Sequence, residues 1–219
     1  MDVRIMETKD GSHTLYSPDF DEVYHSRNGA VTESRHIFID SGIAACALSE
    51  INVFEIGFGT GLNALLSWIY AEHNKVKINY HSSELYPVSN DILAQINYTN
   101  LVGHKDKFQM LHDAGWNETV VLSPHFSLHK INLSVLDMHL TFSNINMIFF
   151  DAFSPEKQPE MWTTAIFAEM FDMLAPDGML VTYCSKSYVR KNMQQAGFEV
   201  KKLPGPHGKR DMVRARKPL

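Results

Sequence analysis

The sequence predicts an α/β fold, a seven-stranded, mostly parallel sheet with an antiparallel last strand and helices on both faces, behind an N-terminal hairpin and cap. Three observations predict it. Val53 to Asn63 reads as a short apolar strand, a glycine-rich turn and the start of an amphipathic helix. From about residue 50 onward, strand, turn and helix patterns alternate, the signature of a parallel sheet covered on both sides. Met147-Ile148-Phe149-Phe150 is a continuous apolar run, as a central strand buried on both faces requires. The 219 residues fit one domain, with 1–49 as the cap extension and 50–219 as the core.

The elements are expected in this order. Val3 to Met6 and His13 to Tyr16 flank Asp10-Gly11, a hairpin signal. The polar and aromatic segment from Phe20 to Gly29, then Thr32 to Gly42, reads as a cap over the ligand site or as a plain packing extension on the core edge. Strand one is Val53–Ile56, with Leu62, Leu65, Leu66 and Ile69 at helical spacing behind it. Strand two is Lys77–Ser83, ending at Glu84. A helix from about Pro87 to Leu101 and a third strand at Phe108–Leu111, leading into His112-Asp113, come next. Phe126 to Leu133 and Val135 to Phe142 read as strands or strand plus turn. After strand four at Met147–Phe150, a helix carrying Ile166, Met170, Phe171 and Leu174 stops at Pro176-Asp177-Gly178. Met179–Tyr183, a helix from Ser187 to Ala196, Phe198–Leu203 and Met212–Arg216 complete the chain.

Composition narrows the function classes. Net charge is −5, yet from Cys184 onward Lys186, Arg190, Lys191, Lys201, Lys202, Lys209, Arg210, Arg214, Arg216 and Lys217 face only Glu199 and Asp211. If the last strand inserts antiparallel, the loop Pro204–Arg210 falls on the ligand edge of the sheet, and a basic rim there favours a polyanionic substrate. Cys46 and Cys184 stand far apart in apolar surroundings, which indicates neither a disulfide framework nor a thiolate metal site. His125 and His129 lack an accompanying ligand cluster, so no metal is expected. The N-terminus has no signal-peptide core and no apolar run approaches a membrane span; a cytoplasmic protein is expected.

The chemistry-bearing positions follow from the parallel-sheet rule that ligands bind beyond the carboxyl ends of the strands, where strand order reverses. Gly57, Gly59 and Gly61 occupy every second position, which lets backbone N–H groups approach a ligand at a helix N-terminus. A dinucleotide fingerprint would need glycine at 62, where this chain has Leu62. Glu84, about 20 residues further on at the end of strand two, fits a ribose-hydroxyl acceptor. Asp113 and Asp151, at the ends of strands three and four, are candidates for an adenine contact and for the reacting centre.

Glu55-Ile56-Gly57-Phe58-Gly59-Thr60-Gly61-Leu62-Asn63, Asp151-Ala152-Phe153-Ser154-Pro155 with Pro159-Glu160-Met161-Trp162, and Gly205-Pro206-His207-Gly208-Lys209-Arg210-Asp211-Met212 together resemble the MnmC/MnmD-type tRNA methyltransferases. The likeness covers nearly the whole chain, including Tyr24-His25-Ser26, where His25 replaces the family's more usual Phe. The resemblance implies a class I, Rossmann-like methyltransferase using S-adenosyl-L-methionine. It would methylate the aminomethyl group of a modified, often thiolated, wobble uridine in the tRNA anticodon loop. Glu55, Gly57, Phe58, Gly59, Gly61, Asn63, Glu84 and Asp113 are then the expected cofactor contacts and Asp151 the catalytic carboxylate. Tyr24, Phe153 and Trp162 would wall the base, and Lys186, Lys209 and Arg210 would hold phosphates. Larger family members carry a flavin-dependent oxidase domain; ending at Leu219, this chain is expected to be the stand-alone methyltransferase, served by a separate oxidase. Two other readings stay open at this level: a small-molecule amine methyl- or aminopropyltransferase, and an inactive RNA-binding relative.

Overall fold

The computed structural model describes residues 3–137 and 142–219. Among these residues, eleven strands form two sheets. The small sheet joins β1 (Arg4–Glu7), β2 (His13–Ser17) and β3 (Glu22–Val23), all antiparallel. The large sheet holds β4 (Glu50–Ile56), β5 (Lys77–Ser83), β6 (Thr119–Ser123), β7 (Phe126–Ile131), β8 (Ile145–Phe150), β9 (Leu174–Thr182), β10 (Glu199–Pro204) and β11 (Asp211–Arg216). Its order is β10-β11-β9-β8-β4-β5-β7-β6, so strand order reverses between β4 and β8. The β4, β5, β7, β8 and β9 pairings are parallel, and β11 runs antiparallel between β9 and β10.

The helices are α1 (Ala30–Ser34), α2 (Leu62–Asn74), α3 (Asn90–Leu93), α4 (Tyr98–Val102), α5 (Lys105–Asp113), α6 (Thr164–Met173) and α7 (Ser187–Gln195). Side chains alternate along the central strands and feed two apolar layers. Met147 and Phe149 face the layer of α2, with Leu65, Trp68 and Tyr80; Ile148 and Phe150 face the layer of α6 and α7, with Phe167, Met170, Val189 and Met193.

Several expectations are corrected. The sheet has eight strands, not seven, because β6 pairs antiparallel onto β7 as an added edge. Phe108–Leu111 is not strand three; it lies inside α5, where Phe108 and Leu111 are buried three residues apart on one helical face. An apolar run this short does not distinguish strand from helix by periodicity, and here the flanking lysines and aspartates complete an amphipathic turn. The third parallel strand is β7 instead. The helix expected over Pro87 to Leu101 breaks into α3 and α4 around Asn97. α6 ends at Met173, earlier than Pro176-Asp177-Gly178, which sits within the irregular start of β9, where Asp177 has φ 65°. The reading of Val135 to Phe142 falls partly on 138–141, outside the described residues.

The N-terminal extension does more than cover the sheet. α1 continues into a π-helical turn, Arg35–Asp40, which buries Ile37, Phe38 and Ile39. Phe38 packs against Phe149 of β8 with ring centroids 5.0 Å apart. The extension is therefore part of one helix layer. Asp10 fastens the hairpin to it: its carboxylate accepts from Ser12 N (3.0 Å), Thr32 N (3.0 Å) and Thr32 Oγ1 (2.8 Å). Burial raises the Asp10 pKa, but these bonds outweigh it and leave the value at about 2. A carboxyl held below its unfolded value stabilises the fold above that value and loses the contribution as pH falls toward about 2. Asp10→Ala is expected to lower stability by about 1–3 kcal/mol at neutral pH. Urea denaturation should show the deficit shrinking below pH 3.8, the ordinary carboxyl value; a constant deficit would assign the loss to packing.

Candidate active site

The carboxyl ends of β4, β5, β8 and β9 open into a cavity that the extension partly walls, through Phe20, Tyr24 and Glu33. Its floor is the glycine turn. Gly57, Gly59 and Gly61 all adopt left-handed backbone (φ 89°, 52° and 72°). A Cβ on Gly57 would sit 3.2 Å from the Asp151 carbonyl oxygen, and one on Gly59 3.2 Å from the Tyr24 ring. At these positions both the dihedral and the space select glycine. The turn is tied to β5 by Gly57 N and Phe58 N, both donating to the Ser83 carbonyl (2.9 and 3.3 Å). No side chain caps α2, and its first residues, Leu62 and Asn63, line the cavity, so the positive end of the helix is turned to the ligand space.

Three acids surround this turn, each held differently. Glu84 accepts from Gly59 N (2.9 Å) and Tyr86 N (2.8 Å), leaving further lone pairs at the cavity wall, and burial pushes its pKa up. Glu55 lies behind the turn, 1% exposed, with Ser82 Oγ donating at 2.7 Å; burial pushes it up to about 8. Asp151 faces the cavity and accepts from Asn63 Nδ2 at 2.9 Å. Its pKa is driven well above the carboxylate range by burial first and by the neighbouring Glu55 second. The Asn63 side chain also lowers the Glu55 pKa, so one amide acts on both acids.

The expected cofactor contacts therefore separate. Gly57, Phe58, Gly59, Asn63 and Glu84 line the cavity, Gly61 shapes it, and Glu55 supports it from behind. Asp113 does not join them: it is exposed at the end of α5, where it accepts from Gln109 Nε2 at 2.8 Å. The group that strand three brings to the cavity is Leu133-Ser134-Val135, following β7. His112 instead packs under the turn, its ring centroid 5.7 Å from that of Phe58, and burial lowers its pKa to about 4.

On the opposite wall, Tyr24 and Phe153 meet edge to face at 5.2 Å, and Phe20 stacks on Phe153 at 4.4 Å. Trp162 is not a wall residue. It is 1% exposed in the core, and its Nε1 donates to the Phe153 carbonyl at 2.9 Å, so it holds the loop that carries Phe153. Of the three basic residues, Lys186 pairs with Glu156 on the surface and Arg210 is exposed outside the cavity lining. Lys209 turns inward, paired with Glu33 and lying 4.5 Å over the Tyr183 ring. Sequence reasoning missed Glu33, Tyr183, Gln158 and Ser134 as lining residues. Tyr183 follows β9, so the strand-end rule that found Asp151 could have found it; Ser134 was hidden by the misplaced third strand.

The residues present fit an adenosyl cofactor. Three glycines form a cradle that Cβ atoms would fill, a helix N-terminus stands without a side-chain cap, and Glu84 offers acceptor positions at the wall. Among the described residues, no three His, Cys, Asp or Glu side chains gather as a metal-ligand set, and no helix is long and apolar enough to cross a membrane.

Comparison with known proteins agrees with this geometry. A family model described as S-adenosyl-L-methionine-dependent methyltransferase matches residues 91–218. The tRNA 5-methylaminomethyl-2-thiouridine biosynthesis bifunctional protein MnmC of Methylobacillus flagellatus is 30% identical over 217 residues, covering 90% of this chain and 33% of the relative. The protein of the same name from Chromobacterium violaceum is 31% identical over 206 residues, covering 87% and 31%. The chain thus spans about a third of the length of these relatives. Among solved structures, MNMC2 from Aquifex aeolicus superposes with a TM-score of 0.77 at 24% identity, over 98% of this chain and 70% of that one. Spermidine synthase from Thermotoga maritima gives 0.57 at 12% identity, over 99% and 73%. Both likenesses support the class I, Rossmann-like fold.

The buried Glu55 generates a test. A carboxyl raised from 4.5 to about 8 stabilises the fold below its unfolded value, and that contribution is lost as pH rises through about 8. Wild type should therefore lose stability relative to Glu55→Gln between pH 5 and pH 8, by up to roughly a few kcal/mol. Urea midpoints of the two proteins that move in parallel across this window would place a charged Glu55 in the native state already at pH 5.

Proposed function

The chain belongs to the S-adenosyl-L-methionine-dependent methyltransferase family, and from that premise we propose that it methylates the primary amine of 5-aminomethyl-(2-thio)uridine at the tRNA wobble position. Its methyl donor is S-adenosyl-L-methionine, which when bound supplies an electrophilic methyl group on a sulfonium. The observation that carries the substrate reading is Asp151, a buried carboxylate facing the cavity beside the glycine turn.

In this reading Glu84 holds ribose hydroxyls, and the Gly57–Gly61 turn with the N-terminus of α2 receives the amino-acid end of the cofactor. Ser134 and its neighbours flank the adenine, which Asp113 does not reach. Methyl transfer to nitrogen demands a free lone pair, whereas an alkylamine at neutral pH is mostly protonated. Asp151 accepts a hydrogen bond from the amine, orients the nitrogen and takes up its proton. An incoming ammonium offsets the burial that raises the Asp151 pKa, so Asp151 ionises beside it, and Asn63 fixes the direction in which it acts. Phe20, Tyr24 and Phe153 offer aromatic surface to a base splayed out of an anticodon loop, the usual mode of single-stranded RNA recognition. Lys186 and Arg210, exposed on the loops that follow β9 and β10, would contact phosphates. The names of the curated relatives carry the methylaminomethyl-thiouridine product, which supports the choice of nucleoside. A preceding oxidative step would release the primary amine.

Asp151→Ala should lower kcat on tRNA bearing aminomethyluridine by at least about 100-fold. Cofactor affinity by calorimetry should stay within a few-fold of wild type; full turnover in this variant would remove Asp151 from the chemistry. Raising salt from about 50 to 200 mM should weaken tRNA binding by orders of magnitude. A flat salt response, or equal activity on a free amine, would instead favour a small-molecule substrate.

A further inference from the structure

Six ionisable side chains other than tyrosine line the cavity: Glu22, His25, Glu33, Glu84, Asp151 and Lys209. Three are already accounted for. The Glu22 carboxylate accepts from Ser154 N (2.8 Å) and Ser154 Oγ (2.9 Å), Glu84 is held by backbone N–H groups, and burial lowers the His25 pKa to about 4, leaving the ring neutral. What remains is two carboxylates, Asp151 and Glu33, and one ammonium, Lys209. Lys209 is the only cation in the cavity lining among the described residues. It arrives on the β10–β11 loop, whereas Glu33 arrives on α1 of the extension, so the pair joins the two ends of the chain across the mouth.

Glu33 is fixed before Lys209 reaches it. It is 7% exposed, and its Oε2 accepts from Ser26 N at 2.7 Å. Its Oε1 takes the Lys209 ammonium, which rests on the face of Tyr183; the Tyr183 hydroxyl in turn donates to the carbonyl of Ala152, the residue after Asp151. Lys209 is thus held within the same cavity as Asp151 but on a different carboxylate. Asp151 feels both partners, since Glu33 raises its pKa and Lys209 lowers it, so without Glu33 it is a carboxyl in the same cavity open to this ammonium. A lysine there would meet the same need as the amine of a substrate, since both are primary ammonium groups.

We propose that Glu33 is a positioning residue that holds the Lys209 ammonium off Asp151, leaving that carboxylate free for the incoming amine. The pair neutralises itself, so Lys209 does not cancel Asp151, which stays available to a cationic substrate group. This rests on the reading that Asp151 receives an amine.

The test separates charge from shape. Glu33→Gln keeps the shape and the acceptor for Ser26 but removes the charge, whereas Glu33→Asp keeps the charge and changes the shape. With tRNA carrying aminomethyluridine, Glu33→Gln should lower kcat/KM by at least about tenfold, chiefly through KM, as expected of coupled neighbouring charges. The double variant Glu33→Gln with Lys209→Met should recover most of that loss, and Glu33→Asp should retain more activity than Glu33→Gln. A crystal structure of Glu33→Gln should place Lys209 Nζ within hydrogen-bond distance of the Asp151 carboxylate. Lys209 still on Tyr183 or turned to solvent in that crystal, or a double variant as impaired as the single one, would overturn the proposal and leave the ion pair as a simple fastening between loop and extension. Cofactor affinity measured on each variant checks the fold. If wild type itself fails to methylate aminomethyluridine, the functional reading falls, while the crystal structure still decides where Lys209 goes.

Discussion

Burial of carboxyl groups is the constraint on which this site depends. Glu55, Glu84 and Asp151 stand at or near the ends of three adjacent parallel strands, where water is largely excluded and an ionised acid is costly. Each acid answers that cost in its own way. Glu84 takes two backbone N–H groups, one of them from the glycine turn, so the turn and the acid fix each other. Burial raises Glu55 to about 8, and the Asn63 side chain acts on both it and Asp151. Asp151, among the described residues, takes one side-chain donor, Asn63.

The glycine turn makes this crowding possible. β4 and β8 are neighbours at the point where strand order reverses, and the turn leaving β4 passes so close to the chain leaving β8 that a Cβ on Gly57 would press on the Asp151 carbonyl. Glycine there brings the turn and the chain at Asp151 together without an intervening side chain. The N-terminal extension finishes the enclosure from both sides. Its π-helical turn completes a helix layer against Phe149, while Phe20, Tyr24 and Glu33 become cavity wall. Asp10 joins these two tasks by clamping the hairpin to the start of α1.

Much of this was legible in the residues themselves. The left-handed turn at Gly57, Gly59 and Gly61, the strand ending at Glu84 and the apolar run ending at Asp151 all rest on local rules: glycine spacing, strand length and the position of an acid after a strand. Asp113 shows where such rules fail. Lys105 to Asp113 carries two buried apolar residues three apart, and so short a stretch fits strand or helix until its neighbours are known. Reading it as a strand shifted the expected adenine contact by some twenty positions and hid Ser134. Trp162 failed differently: an aromatic residue in a functional motif can face the ligand or support the loop behind it, and only the bond from Nε1 to the Phe153 carbonyl decides.

The sequence by itself determined the sheet's central strands, the cofactor turn and the catalytic candidate, because each depends on a few contiguous residues whose backbone needs are specific. The tertiary structure alone decided which charges face inward. Lys186, Lys209 and Arg210 are equivalent members of one basic tail in the sequence, yet Lys186 pairs at the surface, Arg210 lies exposed and Lys209 turns into the cavity to meet Glu33. That partner lies at the opposite end of the chain. A long-range ion pair leaves no local pattern, so it exists only once the sheet has brought the β10–β11 loop and the extension to the same edge.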